Sequence, residues 1–193
     1  MLSLKNSLKV LKKTNALLEG HFILSSGLHS AQYVQCAKLL SYPKLSEKFI
    51  KSLASKIKKK IKKIDIILSP AMGGIIIGYE IGKLLGKETI FCERVNKRFT
   101  LRRGFSIKKN SKVLIVEDVI TTGKSSLECV KLIKKSNAKL VGFACLIDRT
   151  SKVKLKNKII SQVKLKIPTY NKKNLPSFIK EIPVTKPGSR FLK

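Results

Sequence analysis

Residues 113 to 116, Val-Leu-Ile-Val, are apolar without alternation, and Glu117 and Asp118 follow at once. A strand with water on one face alternates, whereas an unbroken run of this kind suits a parallel strand covered on both faces. That run therefore asks for an α/β architecture. Open α/β sheets bind ligands at the carboxyl ends of their strands, which is where the two acids stand. Thr121-Thr122-Gly123-Lys124-Ser125 then turns into an amphipathic helix carrying Leu127, Val130, Leu132 and Ile133. The first N–H groups of that helix are unpaired and its dipole is positive there, so the turn is an anion site. Two acids that accept from vicinal hydroxyls, next to a loop that wraps an anion, describe a ribose 5-phosphate binder. A Walker-type loop is excluded because Gly123-Lys124-Ser125 lacks the earlier glycine that such loops need.

The rest of the chain continues the alternation. Helix is expected over 3–18, with Leu4, Leu8, Leu11 and Leu18 at helical spacing and Gly20 as the stop. Tyr33 to Gln35 reads as a short strand, and Pro43 to about Ile61 as a helix with Phe49, Ile50, Leu53, Ile57 and Ile61 on one stripe. Then come strand 64–68, helix 74–85, strand 89–92, strand 113–116, helix 124–136 and strand 140–147. This order implies a mostly parallel sheet with helices on its faces and right-handed crossovers. The tail after 151 is polar, contains proline, and reads as irregular structure beside the N-terminal segment.

At 193 residues the chain fits one domain. Its formal net charge of +31 raises the question of nucleic acid. Of 42 basic residues only six are Arg, and the lysines are spread along the whole chain. That pattern reads as compositional bias, with salt-sensitive adherence to polyanions as an incidental property. Four cysteines, Cys36, Cys92, Cys129 and Cys145, lack C-x-x-C spacing and read as buried free thiols. Two histidines, His21 and His29, have no companion acids and read as structural or polar surface residues, with no direct protein metal site. Nowhere do about 18 apolar residues run together, so no membrane association and a cytoplasmic location are expected.

Arg is rare enough here to act as its own control. Arg94, Arg98, Arg102 and Arg103 fall in one short window, and Arg149 follows Asp148. Bias toward lysine cannot make that cluster, whereas planar, bidentate recognition of phosphate or carboxylate demands it. The window from Glu93 to Gly104 reads as a mobile hairpin between two strands, able to close over a polyanion. Ser69-Pro70-Ala71-Met72-Gly73-Gly74 closes one strand and opens a helix, and its glycines let backbone N–H groups approach a second anion, for which pyrophosphate is the natural occupant. Asp148-Arg149 ends a strand at the same sheet edge, where Arg149 faces the crevice of Thr121 and suits an acidic acceptor substrate.

Taken together, Gly20-His21-Phe22-x-Leu24-x-Ser26-Gly27, Pro70-Ala71-x-Gly73-Gly74, Glu93-Arg94 with Leu101-Arg102-Arg103-Gly104-Phe105, the acidic-pair motif, Asp148-Arg149 and Lys186-Pro187-Gly188-Ser189-Arg190 resemble the orotate phosphoribosyltransferases. These are type I phosphoribosyltransferases, which use phosphoribosyl pyrophosphate (PRPP). The resemblance runs from about residue 15 onward. It implies an α/β type I fold with a small N-terminal hood. The hood and N-terminal helices would occupy 1–62, the PRPP-binding core 63–150, and a segment packing on the hood 151–193. It implies transfer of a phosphoribosyl group from PRPP to orotate, with Mg²⁺ bound mainly through PRPP, in a homodimer whose loop is shared across subunits.

By the same resemblance, Gly73, Gly74, Arg94, Glu117, Asp118, Val119, Ile120, Thr121, Thr122, Gly123, Lys124 and Ser125 bind PRPP. Thr121 and Arg149 contact orotate, and Arg94, Lys97, Arg98, Arg102, Arg103 and Asp118 serve catalysis. Some branches carry a lysine where Ser25 stands and a Tyr-Lys pair where Met72-Gly73 stands. This chain has neither, and no histidine in the loop. A Cys-Pro-x-Cys near the tail in some members is Asn174-Leu175-Pro176-Ser177 here, so no metal is expected there. Two alternatives share the motif: a transferase for another base, and a non-catalytic PRPP-sensing regulator that binds nucleic acid.

Overall fold

The computed structural model describes residues 2–24, 26–150, 155 and 157–187. Ser25 and Gly188 to Arg190, which carry part of the resemblance, lie outside the described residues. The chain opens with α1 (Leu4–Lys13), β1 (Leu17–Ile23), β2 (His29–Val34), α2 (Cys36–Leu40) and α3 (Pro43–Lys60). Next come β3 (Ile66–Pro70), α4 (Gly74–Leu85), β4 (Glu88–Val95), β5 (Arg98–Leu101), β6 (Lys112–Ile120), α5 (Lys124–Lys135) and β7 (Lys139–Asp148). The tail adds β8 (Ile159–Lys164), α6 (Ser177–Lys180) and β9 (Val184–Thr185).

Six strands form the main sheet in the order β5-β4-β3-β6-β7-β8, parallel throughout except for the β4–β5 hairpin. Val113 to Val116 of β6 lie at its centre with no exposed surface, as the non-alternating run requires. One face is closed by α3 and α4, where Phe49, Leu53 and Ile57 pack with Ile67, Ile77, Leu114 and Leu146. The other face is closed by α5, where Cys129 and Ile133 pack with Leu68, Ile115 and Phe143. Each fully buried Leu, Ile or Phe contributes roughly 2 kcal/mol by removal from water. Two faces covered in this way leave only strand ends and their loops for ligands.

A smaller sheet, in the order β2-β1-β9, stands apart. Helix does not run to residue 18: α1 ends at Lys13, Asn15 takes a left-handed φ of 52°, and Leu17 and Leu18 enter β1 opposite Val34 and Tyr33. The tail is likewise more regular than expected, because β8 joins the edge of the main sheet against β7 and β9 pairs with β1. The two histidines are buried, not on the surface. His21 Nε2 lies 2.6 Å from His29 Nδ1, and His21 Nδ1 lies 3.2 Å from the Ile182 carbonyl, so the pair ties both strands to the tail. All four cysteines are buried and free. No helix among the described residues is long and apolar enough to cross a membrane.

Candidate active site

β6 carries Glu117 and Asp118 to the edge of the sheet, and the chain then turns through Thr121 and Thr122 to Gly123. Gly123 adopts φ 70°, a left-handed conformation that favours glycine, and so lets α5 start immediately at Lys124. A cavity of about 510 Å³ opens there, lined by Glu117, Val119, Ile120, the whole Thr121 to Ser125 turn, Arg94 and Lys97. Glu117 and the anion loop therefore share one hollow with two cations from a different strand pair, and Asp118 stands beside it without lining it. A second cavity of about 400 Å³ lies between the small sheet and Tyr170, Phe178 and Ile182. Its only charged lining residue is Glu19, so the larger hollow is the one suited to a sugar phosphate.

Glu117 is 7% exposed. Burial pushes its carboxyl up to about 7, even though the Ser126 hydroxyl donates to its Oε1 and favours the ionised form. Asp118 is half-buried, and burial raises its carboxyl too. Neither acid is in an ion pair among the described residues. Two poorly solvated acceptors without a cation are suited to taking hydrogen bonds from neutral hydroxyls.

Gly73 meets Asp118 from the next strand. A β-carbon at Gly73 would lie 2.7 Å from Asp118 Oδ2, so only glycine leaves that carboxylate room. Gly74 begins α4 just beyond, under the Val116 carbonyl. Neither glycine lines the large cavity, although both abut strand β6, which builds it.

Arg149 donates its backbone N–H to the Ile120 carbonyl at 2.9 Å, which sets it beside the cavity without lining it. Its side chain is half-buried, and its Nε is buried with no acceptor among the described residues. Burial pulls the guanidinium below its ordinary value, and it nonetheless remains charged. Asp148 is not its partner: that carboxylate accepts from the Thr150 N–H at 2.8 Å and lies 3.7 Å from Lys164 Nζ. A half-buried guanidinium whose Nε meets no acceptor among the described residues suits an anionic substrate.

The window from Glu93 to Gly104 is a hairpin, but much of it is strand and not loop. Val95 pairs with Arg98 across the Asn96-Lys97 turn, whose two φ values of 48° and 65° fit a tight hairpin connection. Arg94 reaches the cavity, held by Glu128. Arg102 and Arg103 fold back toward Glu93, at 4.0 and 3.3 Å, and Arg98 is exposed, so these three stand outside the lining. Motif reading missed Ser126 and Glu128. Both follow the anion loop on α5, and only the approach of β4 and β6 gives them partners. No group of three or more His, Cys, Asp or Glu side chains is arranged to hold a metal among the described residues.

Comparison with known proteins agrees with this geometry. The family model of the phosphoribosyl transferase domain matches residues 41–175. The curated orotate phosphoribosyltransferase of Parvibaculum lavamentivorans is 46% identical over 187 residues, 96% of this chain and 96% of its own. Among solved structures, the orotate phosphoribosyltransferase of Aeropyrum pernix is similar with a TM-score of 0.73 at 24% identity, over 82% of this chain and 93% of its own. An adenine phosphoribosyltransferase of Thermoanaerobacter pseudethanolicus is similar with a TM-score of 0.60 at 19% identity, over 69% of this chain and 88% of its own. At those identities the solved structures speak for the fold alone.

Proposed function

This chain belongs to the phosphoribosyltransferase family, in its orotate branch, and we infer from that premise how its residues divide the reaction. It is a glycosyltransferase of pyrimidine biosynthesis that moves the phosphoribosyl group of PRPP to orotate, giving orotidine 5'-monophosphate and pyrophosphate. The observation that carries the assignment of roles is the single hollow shared by Glu117, the Thr121 to Ser125 turn and Arg94.

In this reading the turn, with the N–H groups of Gly123, Lys124 and Ser125, holds the 5-phosphate, and Val119 and Ile120 flank the sugar. Glu117 and Asp118 accept from the ribose hydroxyls, which fixes C1. As the C1–oxygen bond to pyrophosphate lengthens, positive charge grows on the ribose and negative charge on the leaving group. Arg94 and Lys97 line the cavity and lie on the leaving-group side. Arg98, Arg102 and Arg103 are carried by the same hairpin and add charge if it closes. Gly73 and Gly74 bring backbone close to the pyrophosphate. Arg149, whose Nε meets no acceptor among the described residues, takes the orotate carboxylate and Thr121 holds the base, so that N1 lies under C1.

Mg²⁺ fits this donor set only as a guest of the substrate, because among the described residues Glu117 and Asp118 have no third ligand group beside them. Bound through the oxygens of PRPP, it would supply charge neutralisation of the leaving group, with those carboxylates acting through water. A homodimer is supported by Met72, Ile76 and Tyr79, which are 83, 55 and 62% exposed and recur at helical spacing on and before α4. In that assembly the hairpin reaches the neighbouring subunit. We place the enzyme in the cytoplasm and read 1–62 as hood and N-terminal helices, with α3 on the main sheet, 63–150 as the PRPP-binding core, and 151–193 as a C-terminal segment that adds β8 to the core sheet before β9 returns to the hood.

Loss of orotate absorbance with PRPP and Mg²⁺ tests the reaction. Turnover is expected with orotate and none with uracil, hypoxanthine or adenine; a ranking with uracil first would refute the substrate.

A further inference from the structure

Arg94 of β4 stands opposite Phe99 of β5, and its guanidinium carbon lies 4.1 Å from the centre of that ring. The ring fixes the plane of the guanidinium. Its rotation within the plane is fixed by acceptors: the Lys97 carbonyl takes an Nη1 hydrogen at 2.8 Å, and the two oxygens of Glu128 take Nη1 at 2.8 Å and Nη2 at 3.2 Å. A guanidinium has five N–H donors in a rigid fork. Three are occupied, and among the described residues no acceptor meets the Nε hydrogen or the second Nη2 hydrogen. Those two lie parallel along one edge, which is the pair that two phosphate oxygens match.

Glu128 lies in the second turn of α5, the helix whose first turn forms the anion loop. Its side chain is 19% exposed and Arg94's is 39%, so the pair is better shielded than an ordinary surface bridge. One carboxylate thus couples the helix that begins at the anion loop to an arginine that lines the same cavity. The same grip removes three of the five donors from competition and leaves one orientation.

We infer that Glu128 is a positioning residue that aims the Nε and Nη2 edge of Arg94 at the pyrophosphate of PRPP. This rests on the phosphoribosyl transfer proposed above.

Calorimetric titration of the full chain with pyrophosphate and Mg²⁺, and separately with orotidine 5'-monophosphate, tests it. Glu128→Ala is expected to raise the Kd for pyrophosphate about tenfold or more, as loss of a preorganised charge contact does. Orotidine 5'-monophosphate, which makes no pyrophosphate contact, shifts by no more than about twofold in a contact-specific model. Glu128→Gln keeps the shape and one acceptor, and is expected to lie between. In an Arg94→Ala background, Glu128→Ala adds nothing further.

Unchanged pyrophosphate affinity overturns the inference. So does tighter binding, which would make Glu128 a competitor for Arg94, and so does an equal loss for orotidine 5'-monophosphate, which would make its role structural. If the unaltered protein binds neither ligand, the phosphoribosyl-transfer reading fails, and this inference with it.

Discussion

Asp118 Oδ2 stands 2.7 Å from the point where a β-carbon on Gly73 would sit, although Asp118 is on strand β6 and Gly73 sits where β3 turns into α4. Gly73 itself has φ −57° and ψ −33°, so alanine is acceptable to its backbone. What alanine disturbs is the free end of the Asp118 side chain. Gly73→Ala should therefore leave the melting temperature nearly unchanged and lower kcat/KM by on the order of a hundredfold, the usual effect of losing a preorganised contact. Thermal unfolding and steady-state rates on the same preparation separate the two effects.

Glu117 links the site to stability. Its carboxyl titrates at about 7 in the folded protein against an ordinary value of 4.5, because burial disfavours the charge. A raised acid stabilises the fold fully below its unfolded value, and that contribution disappears as pH rises through about 7. At pH 8 the buried charge costs about 3 kcal/mol, at 1.36 kcal/mol per unit. Glu117→Gln should raise the melting temperature at pH 8, leave it almost unchanged at pH 4.5, and impair turnover at both. A stabilisation of equal size at both pH values would show that the carboxyl is not raised.

Arg149 has an Nε without an acceptor and no ion pair among the described residues. Arg149→Ala should raise KM for orotate about a hundredfold, while the affinity for pyrophosphate remains within about twofold. Arg149→Lys should not restore orotate use, because a single ammonium cannot reproduce a planar fork. Loss of pyrophosphate affinity in either variant would move Arg149 to the other end of the site.

The net charge of +31 should produce binding to random RNA at low salt and its loss near 0.5 M salt, measured by filter retention. Arg94 is paired with Glu128 and Arg103 lies beside Glu93, and 36 of the 42 basic residues are lysines, so most of the excess cations make point contacts. Retention that persists at 0.5 M would favour a dedicated nucleic-acid surface.

The site was largely legible because its parts are contiguous. Val113 to Ser125 contain strand, acids, anion loop and helix start in one stretch; α5 ends within one residue of the expected helix, whereas β6 runs on past the expected 113–116 to Ile120 and includes both acids, because pairing with β7 continues there. Leu18 misled because it sits at helical spacing from Leu4, Leu8 and Leu11, yet the left-handed Asn15 ends the helix before it and β2 claims it. Ile159 to Lys164 lacked a signal because Ser161 and Gln162 interrupt the apolar positions and Lys158 and Lys164 flank them, and only pairing with β7 makes them a strand. The contacts of Glu128 with Arg94 and of His21 with His29 depend on chain segments meeting in space, which no spacing rule encodes.

The parallel pairing of Val184–Thr185 with β1 has a consequence for biosynthesis. Strands β3 to β7 are complete once residue 148 has left the ribosome, whereas β1 waits for a partner translated 160 residues or so after it. Nascent chains with about 150 residues emerged should thus hold β3 to β7 paired, while the main sheet still lacks its β8 edge and the small sheet its β9 edge.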